Sequence, residues 1–348
     1  MALYAVAMTP TSPLAAIAII LALGLGTAGV QAQETQASPP VSVSFIVEND
    51  LFGGTDRHYT NGVRASWMRP EGVMPAYGAW LADSVLGPAN GAKRRMGYAF
   101  GQSMFTPGDI ETRTLLRDDR PYAGWLYGEV ILTSEKTPNS TSPGQLDTLA
   151  LSIGVVGPAS LAETTQRQWH DNFGLQDPKG WDNQIENEPA VNLTFYRQWP
   201  YLRWLKSGAW GADITPHVGA ALGNVFTHGA LGANVRFGRN LENDFGGPPR
   251  IGPAPPGMAY VAPVRDFAWY AFAGFELRAV AHNIFLDGNT FRSSHHVDKK
   301  ILVGDAQIGV AMLWNGYRLT YTQVFRTREF NAQDQGDRFG AITLTVPF

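Results

Sequence analysis

The sequence predicts an all-β protein, a transmembrane antiparallel up-and-down β-barrel of about twelve strands with a short helix in an extracellular loop. From residue 341 onward, apolar side chains alternate with small or polar ones up to the terminal Phe348. This period of two is typical of a strand with one face to lipid and one to the lumen. Beyond the N-terminal region, no stretch approaches the roughly 20 continuous apolar residues of a membrane helix. Any segment that crosses the membrane must therefore be a β-strand.

The N-terminal region predicts export. Residues 14–25 form an apolar run that is too short to span a bilayer, and small residues follow it through Ala32. We interpret residues 1–32 as a secretory signal peptide, cleaved near Val30-Gln31-Ala32, and residues 33–348 as one outer-membrane barrel domain. No Lys or Arg precedes the apolar run, so an uncleaved anchor is the alternative.

The amino-acid composition excludes several kinds of functional site and of binding partner. The chain has 348 residues, no cysteine, 38 glycines and a mean hydropathy of −0.14. The lack of cysteine excludes disulfides, thiolate metal sites and a cysteine nucleophile. A formal net charge of −3 argues against nucleic acid as the main partner.

The period-two pattern predicts where the strands lie. They are expected at residues 41–47, 59–68, 96–103, 122–133, 146–156, 191–199, 212–222, 230–239, 269–281, 301–314, 317–325 and 339–348. Asn315-Gly316 separates two of them as a two-residue hairpin that tolerates positive φ at both positions. Twelve is an even number, as in bacterial single-chain barrels.

In such a barrel, successive connections alternate between the two rims. The first connection holds polar residues within 48–62, the third holds residues 117–122, and the fifth holds Gln166 and His170. These three polar segments are therefore predicted to share one rim, while Asn315-Gly316 lies on the other. Two even connections, residues 69–95 and 240–265, are long, which predicts extra periplasmic structure or a miscounted hairpin.

The fifth connection contains the one segment with a helical pattern, residues 159–173. Ser160 is a candidate N-cap with Glu163 three residues later. Gln166 and His170, four residues apart, share one helix face, and Gly174 can end the helix. On local evidence alone, a solvated surface histidine is the alternative to a functional one.

Four motifs in order resemble the lipid A 3′-O-deacylases of Gram-negative outer membranes. They are residues 48–62 (ENDLFGGTDRHYTNG), residues 118–125 (DDRPYAGW), Gln166 with His170, and residues 180–189 (GWDNQIENEP). The resemblance covers essentially the whole chain after residue 32. It implies a twelve-stranded outer-membrane barrel with a calcium-dependent hydrolase site at its outer rim. The implied substrate is the 3′-linked acyloxyacyl ester of lipid A, the membrane anchor of lipopolysaccharide, and the chain is expected to act as a monomer.

The resemblance also implies roles for four residues. His170 would be the general base that takes a proton from water, and Asn49 would hold that water or the developing oxyanion. Asp50 would be a carboxylate ligand of Ca²⁺, and Gln166 would lie beside His170 in the site. The chemistry is consistent, because the sequence has no Gly-x-Ser-x-Gly elbow and an activated water then needs a base and an electrophile.

The resemblance also implies a second acidic calcium ligand, which some relatives place a few residues after the histidine, where this chain has Gln176 followed by Asp177. Asp177 could serve, a backbone carbonyl could take its place, or the calcium site could be weaker. Glu186 and Glu188 are further candidates, each with a solvated or structural carboxylate as the alternative.

Arg120 and Arg117 could pair with lipid A phosphates, since guanidinium matches phosphate oxygens well. The alternative for Arg120 is an ion-pair network with Asp118 and Asp119 that braces the loop.

Three function classes remain open from the sequence. The first is the lipid A ester hydrolase. The second is an outer-membrane phospholipase, although such barrels usually place a serine nucleophile beside a histidine, and no rim motif does so here. The third is a non-catalytic channel or structural barrel.

Overall fold

The computed structural model describes residues 40–54, 57–138, 144–200 and 202–348; the side chains of 202–204 are not described. The predicted signal peptide, residues 1–32, lies outside the described residues. Within these described ranges, thirteen strands form one antiparallel sheet. They are β1 (Ser42–Asn49), β2 (His58–Met68), β3 (Lys93–Thr106), β4 (Ala123–Lys136), β5 (Gln145–Val156), β6 (Glu188–Gln198), β7 (Leu202–Ser207), β8 (Trp210–Gly223), β9 (Phe226–Arg239), β10 (Ala268–Asn283), β11 (Leu302–Trp314), β12 (Tyr317–Arg326) and β13 (Asp337–Pro347).

Helical segments occur only in the connections of the described chain. The helices are α1 (Ala76–Leu86), α2 (Ala162–Phe173) and α3 (Ile284–Asp287), and short 3₁₀ turns span Asp50–Gly53, Pro158–Ser160, Trp181–Asn183 and Leu241–Asn243. None of these described helices is long and apolar enough to cross a bilayer.

The sheet closes into the predicted twelve-stranded barrel, with one extra short strand. β1 pairs with both β2 and β13, and β6 pairs with both β5 and β8. The extra strand β7 continues the line of β6 along β8: Gln198 pairs with His217, and Leu202 pairs with Ile214. Pro200 lies at the break, and proline has no N–H for a ladder hydrogen bond.

The long connection between β9 and β10, residues 240–267, folds back into the barrel; we call it the lumen segment. Arg250 donates from Nε to Glu48 of β1 at 3.1 Å. On another part of the wall, Arg318 of β12 donates to the Met258 carbonyl at 2.7 Å. The sequence predicted extra periplasmic structure or a miscounted hairpin for this connection, and both predictions are wrong. Its polar backbone is satisfied by the inner wall, so it fills the lumen.

The lumen segment identifies which strand residues point inward. Its neighbours on the wall are charged pairs, such as Arg236 with Asp213 at 2.6 Å and Arg278 with Asp305 at 2.9 Å. The alternate residues point outward and include large exposed apolar side chains, among them Phe45, Phe100, Ile153, Leu231, Phe275 and Ile308. A polar interior with an apolar outer band is the arrangement of a membrane barrel.

The predicted distribution of connections between rims is confirmed. The β1–β2, β3–β4 and β5–β6 connections lie at one rim, together with β8–β9, β10–β11 and β12–β13. We call this the site rim. Asn315 and Gly316 form the β11–β12 turn at the opposite rim with φ of 49° and 86°, as the hairpin motif predicted. The other long even connection, between β2 and β3, carries α1.

Candidate active site

The candidate site lies on the outward side of the barrel wall, and the contacts of Glu48 establish this. The Glu48 carboxylate accepts from Arg250 of the lumen segment, so it points inward. Successive side chains of a strand point to opposite faces, so Asn49 points outward. Asn61 is its partner across the β1–β2 pair and shares that face.

Helix α2 covers this outward surface at the site rim. Its buried residues, Ala162, Gln166 and His170, are spaced four apart and form one face. Ala162 packs in one apolar cluster with Met104 of β3 and with Trp181. At Gly124 of β4, an added Cβ would lie 2.3 Å from Ala162 Cβ, so only glycine allows the helix to lie this close to the wall.

The predicted helix is confirmed, but its predicted N-cap is wrong. Ser160 lies in the 3₁₀ turn that precedes α2, and its carbonyl accepts from Gln102 Nε2 at 2.7 Å. That bond ties the turn to β3, so the helix begins one residue after Leu161, which is left-handed at φ 60°. The end is as predicted, since left-handed Gly174 donates its N–H to the His170 carbonyl.

Between α2 and the wall lies a cavity of about 50 Å³. It brings together three of the predicted site residues, Asn49, Gln166 and His170. The full lining is Asn49, Leu51, Thr60, Asn61, Val63, Met104, Thr165, Gln166, Trp169 and His170. Sequence reasoning missed Thr60, Asn61 and Trp169, although the hairpin register opposite Asn49 could have indicated Asn61.

His170 is held in a defined tautomer. Its Nδ1 lies in hydrogen-bond contact with the backbone carbonyl of Gln176. A carbonyl oxygen can only accept, so Nδ1 carries the proton and Nε2 of the neutral ring keeps its lone pair. A buried imidazole with one nitrogen fixed by a carbonyl has the arrangement that a general base requires.

Gln166 is also fixed in orientation. The indole N–H of Trp181 donates to Gln166 Oε1 at 2.7 Å, and Trp181 is fully buried. The amide nitrogen is therefore the remaining polar atom, and no acceptor among the described residues bonds to the buried Nε2. A buried donor of this kind is available to a substrate oxygen or a water.

Asn49 and Asp50 shape the first connection. Asn49 caps the turn Asp50–Gly53 by accepting from the Leu51 N–H at 2.8 Å. Asp50 is buried, and its Oδ2 accepts from the backbone N–H of Arg57. Both side chains are thus positioned by the loop that they begin.

A family model described as "Outer membrane protein LpxR" matches residues 15–348 of the chain. The chain belongs to this family. The structure of LpxR from Salmonella typhimurium is 19% identical, covers 88% of this chain and all of that chain, and superposes with a TM-score of 0.69. That likeness shows a shared fold, and this LpxR-family protein is therefore a β-barrel of the Gram-negative outer membrane.

Other barrels are less similar to this LpxR-family chain. The β-domain of the Bordetella autotransporter BrkA is 12% identical and covers 89% of this chain and 99% of that one, with a TM-score of 0.43. No curated protein sequence matches the chain.

Asp177, the second predicted metal ligand of this LpxR-family protein, is not among the residues that line the cavity. Its side chain is 57% exposed and pairs with Arg167 at 2.9 Å. Glu188 is a structural carboxylate, since it accepts from Asn224 Nδ2 and from the Thr290 N–H, both at 2.9 Å. Glu186 is exposed.

Arg120 is buried in an ion pair and is not accessible from outside the protein. The residue is 0% exposed, its Nη2 lies 3.4 Å from Glu329, and its guanidinium lies over the Phe105 ring. Its charged partner is thus Glu329 of the β12–β13 connection rather than Asp118 or Asp119. A lipid phosphate cannot reach a buried guanidinium in this arrangement. Arg117 is exposed at the site rim.

Asp119 links two connections of the site rim. Its Oδ1 lies 3.6 Å from His58 Nε2, and its Oδ2 accepts from the Gly108 N–H at 2.7 Å. Partial burial by itself would raise the pKa of the Asp119 carboxyl. The nearby His58 ring and the hydrogen bond from the Gly108 N–H outweigh that effect, so the pKa of the Asp119 carboxyl is lowered from its ordinary value.

Asn49, Thr60 and Asn61 line the cavity and carry neutral oxygens, which are among the ligands that Ca²⁺ prefers. Asp50 directly follows Asn49 in the chain and carries a carboxylate, but, like Asp177, it is not among the lining residues. Within the described part of the chain, no group of three or more His, Asp or Glu side chains is arranged so that it could hold a metal ion. Any cation here would therefore depend on Asp50 and on neutral oxygens.

Proposed function

We propose that this LpxR-family protein hydrolyses the 3′-linked acyloxyacyl ester of lipid A, the substrate implied by its motifs. One observation carries the proposal: His170, Gln166 and Asn49 line a single cavity on the outward wall. An outward site at a barrel rim is reached by lipid that diffuses within the leaflet, with no passage through the filled lumen. Family membership supports the same activity.

In the proposed reaction, His170 Nε2 removes a proton from a water molecule as that water attacks the ester carbonyl. The Gln176 carbonyl keeps the proton on Nδ1 throughout and stabilises the imidazolium that forms. When the tetrahedral intermediate collapses, the bond between the carbonyl carbon and the sugar 3′ oxygen breaks. His170 returns its proton to that oxygen, which leaves a free hydroxyl and a free fatty acid.

In this proposal, two amides stabilise the developing oxyanion. Trp181 occupies Gln166 Oε1, so Gln166 presents its Nε2 donor. The backbone N–H of Leu51 likewise donates to Asn49 Oδ1, so Asn49 presents its amide nitrogen. Preorganised donors at such a position each contribute about 10²–10³ in kcat.

We propose that Ca²⁺ binds at Asp50 together with neutral oxygens from Thr60 or Asn61. A bound Ca²⁺ would polarise the ester carbonyl as a Lewis acid. Asp177 would have to leave Arg167 to take part, so Asp50 is the acidic ligand in this proposal.

Two alternatives are less well supported. A serine-dependent phospholipase needs a serine beside the base, and the described lining of the cavity contains none. An open channel needs a free lumen, whereas residues 240–267 contact the inner wall at β1, β10 and β12.

The test is product identification. The full chain would be expressed in a Gram-negative host that lacks this activity, and its lipid A and phospholipids analysed by mass spectrometry. We expect lipid A to lose one acyloxyacyl unit from the 3′ position while phospholipids stay intact. Lysophospholipid with unchanged lipid A would instead identify a phospholipase, and unchanged lipids of both classes would contradict the proposal.

A further inference from the structure

Helix α1, in the β2–β3 connection at the opposite rim, packs on the outside of the barrel. Its fully buried Ala82 lies in an apolar cluster with Met96, Leu132 and Leu149 of the wall. The inward residues of these strands are known from the lumen segment: Arg95 lies over the Tyr260 ring, and Ile131 packs beside Ala259. Their neighbours Met96 and Leu132 therefore point outward.

The contact between α1 and the wall is close. Gly78 faces the wall, and a Cβ at this position would lie 2.7 Å from Met96 Sδ. Gly78 and Ala82 are the two buried residues of the helix and are one turn apart. The small side chains let α1 lie flat against a lipid-facing part of the barrel.

The opposite face of α1 is aromatic and exposed. Trp80 is 67% exposed and Tyr77 is 58% exposed. Tyr77 shares a 2.6 Å hydroxyl–hydroxyl contact with Tyr98, which packs beside exposed Trp67 with ring centroids 5.7 Å apart. The helix surface is thus continuous with aromatic residues on the outer wall, where barrels carry their interfacial girdle.

The one charge of α1 is neutralised. Asp83 pairs with Arg94 of β3, and the same guanidinium donates to the Gly87 carbonyl at the helix end. A cation at the C-terminus of a helix is stabilising. The outer face of α1 therefore presents Tyr77, Trp80 and Ser84, and the helix's own carboxylate is paired.

We infer that α1 is a membrane-interfacial helix whose Trp80 face lies in the phospholipid leaflet at the opposite rim. The occupant of this surface is lipid rather than protein, because the surface continues the lipid-facing wall and combines aromatic side chains with a paired charge. Helices of this kind lie in the plane of the interface with the apolar face among headgroups and upper acyl chains. The inference does not depend on the proposed enzymatic activity.

The chain has no cysteine, so single nitroxide labels can test this directly. The Ser84→Cys variant places a label one turn from Trp80. Ile308→Cys on the outward face of β11 serves as the lipid reference, and Gln335→Cys in the exposed β12–β13 connection serves as the aqueous reference. The full-length barrel would be reconstituted in vesicles of phosphatidylethanolamine and phosphatidylglycerol, and label collisions with oxygen and with a water-soluble nickel chelate measured.

We expect the label at position 84 to lie between the two references, with more oxygen collisions and fewer nickel collisions than the label in Gln335→Cys. A label that collides mainly with the nickel chelate, as expected in Gln335→Cys, would overturn the inference. A label that neither reagent reaches, or whose spectrum is broadened by the label of a second copy, would overturn it as well. In a second measurement, brominated phospholipid should quench the fluorescence of Trp80. That fluorescence is obtained by subtracting the emission of the Trp80→Phe variant from the emission of the wild type. An unquenched Trp80 would also overturn the inference.

Discussion

The indole N–H of Trp181 donates to the side-chain oxygen of Gln166 at 2.7 Å, inside the cluster that holds α2 on the wall. The GWDNQ motif and the helix, which are separate in sequence, are thus joined by one hydrogen bond. Through it, a residue that need not touch substrate determines which end of the Gln166 amide faces the cavity.

Replacing Trp181 by Phe should therefore reduce kcat by about tenfold with little change in KM, because a hydrogen bond of this kind contributes about 1–1.5 kcal/mol. The ring volume is largely kept, so the fold should persist. The check is a double-mutant cycle with Gln166→Ala. Independent, additive effects of the two substitutions would show that Trp181 does not act through Gln166.

Asp50→Asn should weaken Ca²⁺ binding by at least about tenfold, since carboxylate ligands set calcium affinity and even outer-shell partners contribute that much. Asp177→Asn is the matched control and should change the affinity little, because Asp177 pairs with Arg167 at the surface. The measurement is the rise in the unfolding midpoint with added Ca²⁺. The reverse order of the two variants would assign the site to Asp177.

Arg120→Met should lower the free energy of unfolding by about 3 kcal/mol, because removing one partner of a buried ion pair is costly. Arg117→Met, at an exposed position, should change it by less than about 0.5 kcal/mol. Equilibrium unfolding in lipid vesicles compares the two. An Arg120→Met variant of normal stability but raised KM would indicate phosphate binding instead.

Asp119 should make the site rim sensitive to acid. Its pKa is lowered in the folded state, so its contribution to stability is present above the unfolded value of about 3.9 and is lost as pH falls through the folded value. Asp119→Asn should therefore lower the unfolding midpoint at pH 7, and the difference from wild type should close below about pH 4. A difference that stays constant across this range would contradict the assignment.

The barrel could be predicted from sequence because each spanning strand has one lipid-facing side, which produces the period of two. The short strand β7 was not predicted, since it belongs to a strand line broken at Pro200. The lumen segment could not be predicted either: its proline- and glycine-rich residues have no period, and tertiary contacts alone place it inside.

The side of the wall that carries the site follows from the same period of two. Phe45 points outward, and Asn49 lies four residues further along β1, so it shares that face. What the pattern does not show is the partner of Glu48, because Arg250 pairs with it from 202 residues away in sequence. The association of Arg120 with Glu329, 209 residues apart, was missed for the same reason.

The most direct test of the account is the rate of lipid A deacylation by His170→Ala against the matched variant His296→Ala. His296 is exposed at the same rim and does not line the cavity. If His170 is the base, His170→Ala should lose about 10²–10⁴-fold in rate, while His296→Ala keeps wild-type turnover and both retain the folded barrel. Full activity in a folded His170→Ala protein would contradict the central claim.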